Sequence, residues 1–284
     1  MNSSELAAYL GRIDAPHPGG ADPADGAASA DGAGSAGALR ALHRAHLRTV
    51  PFENLSIHLG EPISLAAGDL IDKIVTRRRG GFCYELNGTF ALLLGALGFE
   101  VSLLAARVFD GDRLGPPFDH LTLLVRTSDG DGPWLADVGF GSHSVYPLRF
   151  DERQQQDDPG GSFRLADGAD GDIDVIKDGQ PQYRIERRTR SLADFGATCW
   201  WQQTSPDSHF TRSTVCSRMT DNGRISISGR TLIRTADGIR TEEELPTDAA
   251  VLAIINAGGN GMPSYADMLS DTERADVIAY LKTL

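Results

Sequence analysis

The segment RGGFCYELN (79–87) sets Cys83 just after a Gly-Gly turn and at the start of an apolar helical pattern. The first turn of a helix leaves backbone N–H groups unpaired and carries the positive end of the helix dipole, so an anion is favoured there. A thiol in that position is expected to ionise more readily than a free one. The same N–H groups can receive an oxygen that becomes negative during acyl transfer. The competing reading of Cys83 is a buried structural thiol.

A nucleophilic cysteine needs a base, and the base needs an orienting group. His120 opens the alternating run HLTLLVRT and shares a face with Thr122 and Leu124, while Leu121, Leu123 and Val125 fill the other. Asp137 lies in WLADVGFG between Ala136 and Val138, a costly setting for an unpaired carboxylate. Alone, His120 reads as a hydrogen-bonded strand histidine and Asp137 as a turn-former before Gly139. Taken with Cys83 they make a cysteine–histidine–aspartate set, in which the histidine takes the thiol proton and the aspartate fixes the imidazole tautomer. The remaining polar candidates carry less. His43 and His46 are three apart on a helix without a third ligand, and read as exposed helix polarity rather than a metal site. Cys199 and Cys216 read as packing thiols, and Trp200 and Trp201 as anchors between the central and C-terminal parts.

The elements that must position these residues follow from apolar spacing. Helices fit 4–11, 38–48 (Leu39, Leu42, Ala45, Leu47), 69–78 (Leu70, Ile71, Ile74, Val75) and 84–97, where Leu86, Phe90, Leu93, Leu94 and Leu97 recur at helical spacing. Short runs at 100–109, 120–127, 134–138, 173–177, 182–188, 213–218, 224–228 and 230–234 read as strands parted by turn clusters such as SDGDGP. Two more helices are expected over 248–256 and 271–284, the second opened by Ser270 with Glu273 in capping-box spacing. Residues 15–37, nearly devoid of large apolar side chains, cannot offset their own ordering entropy and read as a mobile surface insertion. Helices, then strands, then strands with helices is an α+β order without βαβ alternation.

Composition narrows the function classes. With 284 residues, 40% of them hydrophobic, the chain can bury a real core. A net charge of −12, from 27 Lys and Arg against 39 Asp and Glu, disfavours nucleic acid and anionic membranes as partners. The longest apolar run, 90–99, falls well short of the roughly 20 residues a membrane-spanning helix needs. The start MNSSELAAYLGRID lacks the basic and long apolar parts of a secretory signal, so the expected compartment is the cytoplasm. Three cysteines without CxxC or CxxCH spacing argue against a disulfide framework, a zinc ribbon and covalent haem, and no Walker or GxGxxG pattern occurs.

Four ordered segments, VPFENLSIH (50–58), RGGFCYELN (79–87), DHLTLLV (119–125) and LADVGFG (135–141), supported by SHFTRSTVCSRMTDNGR (208–224), resemble the arylamine N-acetyltransferases. The likeness runs from the N-terminus to about residue 250, with Cys83 and His120 37 residues apart and His120 and Asp137 17 apart. It implies an α+β fold with a cysteine-protease-like Cys-His-Asp core. An N-terminal helical bundle (1–100) would carry Cys83, a central antiparallel β-barrel (101–202) His120 and Asp137, and a C-terminal α/β lid (203–284) would close over them. It also implies a ping-pong exchange. Acetyl-CoA, a cosubstrate rather than a resident cofactor, acetylates Cys83, and an arylamine, arylhydrazine or hydrazine removes the acetyl group, a chemistry suited to xenobiotic metabolism. Phe52 and Phe140 would line the aromatic acceptor pocket, and Phe210 would approach from the lid. The oligomeric state stays open. A papain-like cysteine hydrolase, with cysteine, histidine and an amide or acid in the same chain order, is the alternative.

The chain departs from that family in two places. Asp119 stands before the histidine, where members commonly carry a small or hydroxylated residue. Residues 257–284 are similar instead to the last segment of small c-type cytochromes, but without CxxCH, Met262 reads as a loop methionine and haem is not expected. For the donor phosphates, Arg77, Arg78, Arg79, Arg212 and Arg218 are candidates by position, each with a solvated-surface reading beside it.

Overall fold

Helix α1 (Ser3–Arg12) begins where Asn2 and Glu5 exchange hydrogen bonds with each other's backbone, a capping box at 2.8 and 2.9 Å. The computed structural model describes residues 1–18, 32 and 34–247. Helix α2 (Ala36–Thr49) is capped by Ser35 and leads into the two-residue strand β1 (Phe52–Glu53) and a single turn, α3 (Leu55–His58). Helix α4 (Ala67–Ile71) continues as a π-helical turn (Asp72–Thr76), and α5 (Cys83–Ala96) follows. Leu86, Phe90, Leu93 and Leu94 of α5 are wholly buried against Tyr9, Leu39, Leu42 and Ile74, so the central helix is apolar on most of its circumference and the others surround it.

The chain then winds a large antiparallel sheet from β2 (Glu100–Asp110), β3 (Arg113–Leu114), β4 (His120–Arg126), β5 (Trp134–Ala136), β6 (Leu148–Arg149), β7 (Gln156–Asp158), β8 (Gly161–Asp167), β9 (Ile173–Lys177) and β10 (Gln180–Arg190). Its order is β6-β5-β4-β2-β10-β9-β8-β7, with β3 paired to β2. Alternate residues of these strands, among them Leu104, Ala106, Leu135, Phe163, Leu165, Ile173, Val175, Tyr183 and Ile185, fill one interior as the sheet curls into a nearly closed barrel. A side chain bridges the seam. Gln156 Oε1 accepts from Arg149 N at 2.7 Å and its Nε2 donates to Arg149 O at 3.0 Å, so one amide stands in for the missing ladder between β6 and β7.

After α6 (Gly196–Thr204) and the short α7 (His209–Arg212), strands β11 (Val215–Thr220), β12 (Gly223–Ser228), β13 (Thr231–Ala236) and β14 (Ile239–Glu244) form a second antiparallel sheet. β1 joins its edge, pairing Phe52 with Ser217 and Glu53 with Cys216, which ties the N-terminal helices to the C-terminal strands. The class is α+β.

The expected helices at 4–11, 38–48, 69–78 and 84–97 correspond to α1, α2, α4 with its π turn, and α5. Three parts of the sequence reading need correction. Residues 34–37 of the expected insertion are anchored: Ser35 is buried, Ser128 N donates to Gly34 O at 2.9 Å, and Ala36 N donates to Asp129 Oδ2 at 2.8 Å. The sequence reading contains no element at β7, β8, β14 or α6: β7 and β14 are short and polar, β8 buries only Phe163 and Leu165, and α6 buries only Cys199 and Gln202. Trp200 does not anchor a junction; it is 66% exposed on α6. The helices expected over 248–256 and 271–284, Met262, and residues 19–31 and 33 lie outside the described residues. Among the described residues, no helix is long and apolar enough to cross a membrane.

Candidate active site

Two of the motifs fold into one structure. Arg79 of RGG is wholly buried and meets Glu53 of VPFEN, Nη2 to Oε1 at 3.2 Å, while its Nη1 lies 3.4 Å from Glu61. Glu53 N donates to Gly81 O at 2.9 Å, and a Cβ on Gly80 would lie 2.2 Å from Pro51 O, so only glycine lets these backbones approach. The turn is thereby fixed, and α5 starts at Cys83. Glu85 accepts the Phe82 N–H at 3.2 Å and an ion pair from Lys73 at 2.6 Å.

The strand register brings in the other two residues. His120 pairs with Ala106 on β2, and Ala136 pairs with Leu123, so Asp137 emerges just past β5 on the side of His120. His120 Nε2 and Asp137 Oδ2 are 2.7 Å apart, with His120 2% and Asp137 1% exposed. The carboxylate accepts four hydrogen bonds. Oδ1 takes Asn87 Nδ2 at 2.9 Å and Gly139 N at 3.0 Å, while Oδ2 takes His120 Nε2 and the Tyr183 hydroxyl, the latter at 2.9 Å. Burial alone would raise the Asp137 pKa; the His120 charge and hydrogen bond, with Asn87, reverse this and hold the carboxyl well below the usual carboxylate range. An ionised Asp137 accepts only, so Nε2 of His120 carries a proton and Nδ1 is left for the thiol side.

Asn87 lies one turn beyond Cys83 on α5 and staples the helix to both strands. Besides holding Asp137, its Nδ2 donates to Leu121 O at 2.6 Å and its Oδ1 accepts Val138 N at 2.9 Å. Gly139 completes the join, since a Cβ there would lie 2.8 Å from Cys83 Cα. The Cys83 sulfur lies 4.0 Å from the carbonyl oxygen of Asp119, the peptide that leads into His120. Burial pushes the Cys83 thiol well above its ordinary value, and the Leu121 backbone bond only partly offsets this. The thiolate expected from the helix start is therefore not stable by itself in this dry setting. Its ionisation has to be matched by a cation beside it.

The aromatic residues fall on two sides. Phe140 stands edge-on to His120 at 5.1 Å, with Tyr183 and His143 behind it. Phe52 and Phe210 are 6.1 Å apart and belong with Phe82, Cys83 and Cys199 to one apolar cluster, with Phe210 edge-on to Phe82 at 5.7 Å. All six sequence-named residues thus converge on the start of α5. Cys199 and Cys216 are buried, as expected of packing thiols. His43 and His46 are not exposed helix polarity: both are wholly buried. His43 Nδ1 donates to Val145 O at 2.9 Å and Nε2 accepts the Asp137 N–H at 3.1 Å, which fixes a neutral tautomer directly behind the carboxylate. His46 sits at 3.0 Å from the Tyr9 hydroxyl.

Asn87 is absent from the sequence-named residues, although its place four positions after Cys83, on the same helix face, was a usable signal. Tyr183 and His43 carried no such signal, because their partners are remote in the chain. Of the arginines named for donor phosphates, Arg79 is consumed by its buried ion pair and Arg77 lies 3.7 Å from Glu61.

A family model described as N-acetyltransferase matches residues 36–258. The arylamine N-acetyltransferase of Mycolicibacterium smegmatis is 36% identical over 251 residues, covering 85% of this chain and 91% of that one. The structure of the Mycobacterium marinum arylamine N-acetyltransferase superposes with a TM-score of 0.83 at 32% identity, covering 98% of each chain. The same protein in complex with CoA gives 0.83 at 30% identity over 98% of each. The hydrolase alternative gives way to these relatives: the chain belongs to the arylamine N-acetyltransferase family and is an acetyltransferase.

Proposed function

We propose that the enzyme transfers acetyl from acetyl-CoA to arylamines, arylhydrazines or hydrazines through an acetyl-cysteine on Cys83, with His120 as base and Asp137 as its orienting partner. The observation that carries this reading is the 2.7 Å His120–Asp137 pair, tied by Asn87 to the helix that begins at Cys83. Cys83 gives its proton to His120 as sulfur attacks the thioester carbonyl, and the imidazolium, balanced by Asp137, offsets the burial that opposes a lone thiolate. The carbonyl oxygen takes up negative charge beside the backbone N–H groups at the start of α5. The C–S bond to CoA breaks, and CoA leaves with the proton from His120. The acceptor nitrogen then attacks the acetyl-cysteine and loses its proton to His120, and Cys83 departs and is reprotonated.

Phe52, Phe140 and Phe210 suit a flat, neutral acceptor and keep water from the acetylated cysteine. The donor's phosphates fit a cavity of about 310 Å³ lined by Arg44, Ser142, His143, Tyr146 and Arg224. Arg224 is largely buried, its pKa drawn down to about 10 by that burial, and Nη1 donates to Ser217 Oγ at 2.9 Å. The sequence candidates Arg77, Arg78, Arg79, Arg212 and Arg218 do not line this cavity. Intact mass spectrometry after exposure to acetyl-CoA tests the reading: one acetyl group is expected on Cys83, with CoA release that continues only when an arylamine is added. Cys83→Ala is expected to show neither. An adduct of normal yield in that variant would remove Cys83 from the role.

A further inference from the structure

A polar strut runs from the residue before His120 to Phe210. Asp119 Oδ1 accepts from Gln202 Nε2 at 2.7 Å, and Gln202 Oε1 accepts from the Ser208 hydroxyl at 2.6 Å. The Ser208 oxygen in turn accepts the Phe210 backbone N–H at 3.2 Å as it caps α7. Gln202 and Ser208 are 2% and 1% exposed, so water cannot easily replace a lost partner. Every polarity along the line is forced. A carboxylate only accepts, so the amide nitrogen of Gln202 faces Asp119 and its oxygen faces Ser208. The Ser208 proton is used there, and its lone pair is left for Phe210. From the other side, Asn54 Nδ2 donates to Phe210 O at 2.9 Å and to Ser213 O at 2.8 Å.

Asp119 is one of this chain's departures from the family pattern, and the fold makes room for it. A Cβ on Gly115 would lie 2.2 Å from Asp119 Oδ2, so the carboxylate occupies space that a glycine leaves open. A small or hydroxylated side chain in its place would fall short of the Gln202 amide.

We infer that Asp119, Gln202 and Ser208 are positioning residues that set the Phe210 ring and so make this enzyme favour flat aromatic acceptors over ringless hydrazines. The inference rests on the transferase reading above, which places Phe210 at the acceptor. Phe210 packs against the cluster around Cys83, with ring contacts to Phe82 and Phe52. Freedom at its backbone therefore weakens the wall that an aromatic ring would use and leaves untouched what a hydrazine would use.

Gln202→Leu cuts the strut beside Asp119 and Ser208→Ala cuts it at the far end, and neither adds or removes a charged side chain. Both are expected to raise KM for 4-methoxyaniline about five- to tenfold, the loss of one buried hydrogen bond. KM for hydrazine and the rate of CoA release on first mixing with acetyl-CoA stay within about twofold. Ser208→Thr, which keeps the hydroxyl, restores the aromatic KM. Equal losses for both acceptors, or an unchanged aromatic KM, would overturn the strut. Wild-type protein that acetylates neither acceptor defeats the transferase reading instead. The strut is then judged by hydrogen exchange at the Phe210 amide, which must quicken in Gln202→Leu and Ser208→Ala and recover in Ser208→Thr. Unchanged protection there overturns it independently of any activity.

Discussion

Asp137 shows how much of the site rests on a single ionised group. Its two oxygens accept from His120, Tyr183, Asn87 and Gly139, donors contributed by two strands, the central helix and the adjoining loop. Asn at this position has one acceptor oxygen and one NH₂ group, so two of the four donors must face a donor whichever way the amide turns. If His120 and Tyr183 are the pair so opposed, the His120 ring must move its proton from Nε2 to Nδ1, the nitrogen that receives the Cys83 proton in the proposed mechanism. Asp137→Asn is therefore expected to fold and yet lose about 10⁴-fold in acetyl transfer, the scale seen when a triad carboxylate is replaced by its amide. Far-ultraviolet circular dichroism and single-turnover CoA release check the two halves of this statement. A folded variant with near-normal rate would mean that the carboxylate has no part in orienting His120.

Between residue and fold, the contact that matters is the start of α5 against the loop after β5. Gly139→Ala would bring a methyl group to 2.7 Å from Asn87 Nδ2 and 2.8 Å from Cys83 Cα, and no rotamer change moves a backbone Cα. The loop or the helix start must shift, at a cost of about 1–3 kcal/mol and with at least about a tenfold loss of rate. Gly95→Ala, on the exposed side of the same helix with nothing within 4 Å, is expected to be neutral or to stabilise by about 0.5 kcal/mol. Urea unfolding and single-turnover kinetics on both variants compare them, and a Gly139→Ala protein matching Gly95→Ala would mean that the join is not tight. The same contact explains what the sequence could reveal. Cys83, His120 and Asp137 were legible because each sits at the end of an element whose periodicity is strong: an apolar helix, an alternating strand and a strand ending in Asp-Val-Gly. Their meeting was not, since it depends on Asn87, Tyr183 and His43 finding partners 34 to 102 residues away. The short strands β7, β8 and β14 escaped for a related reason. β7 and β14 are held by ladder bonds and by side-chain bridges such as Gln156 across the barrel seam, and β8 sends only Phe163 and Leu165 into the barrel interior, too few to pattern the sequence.

At the scale of the whole molecule, the histidines couple folding to pH. Of the chain's seven, His43, His46, His58, His143 and His209 all have pKa values lowered chiefly by burial, with His143 brought to about 3. The unfolded chain binds protons at these rings near pH 6.5, whereas the folded chain resists them until lower pH. Between the two values the unfolded state holds more protons, so stability rises with pH; the contribution is full above about 6.5 and is lost as pH falls toward the folded values. Buried Glu85 and half-buried Asp119, whose pKa values are raised chiefly by burial, act in the opposite direction from the ordinary carboxylate value of about 4 upward, two groups against the five rings. The urea midpoint is therefore expected to fall steadily from pH 7 to pH 5. Each fully resisting ring contributes up to about 1.4 kcal/mol per pH unit. His143→Gln removes one ring that resists protonation across this whole interval, and its unfolding free energy should depend less steeply on pH there by up to the same amount. A flat wild-type midpoint across pH 5–7, or an unchanged slope in His143→Gln, would mean that these buried rings take up protons in the folded protein after all. The neutral tautomer assigned to His43 behind Asp137 would then lose its basis as well.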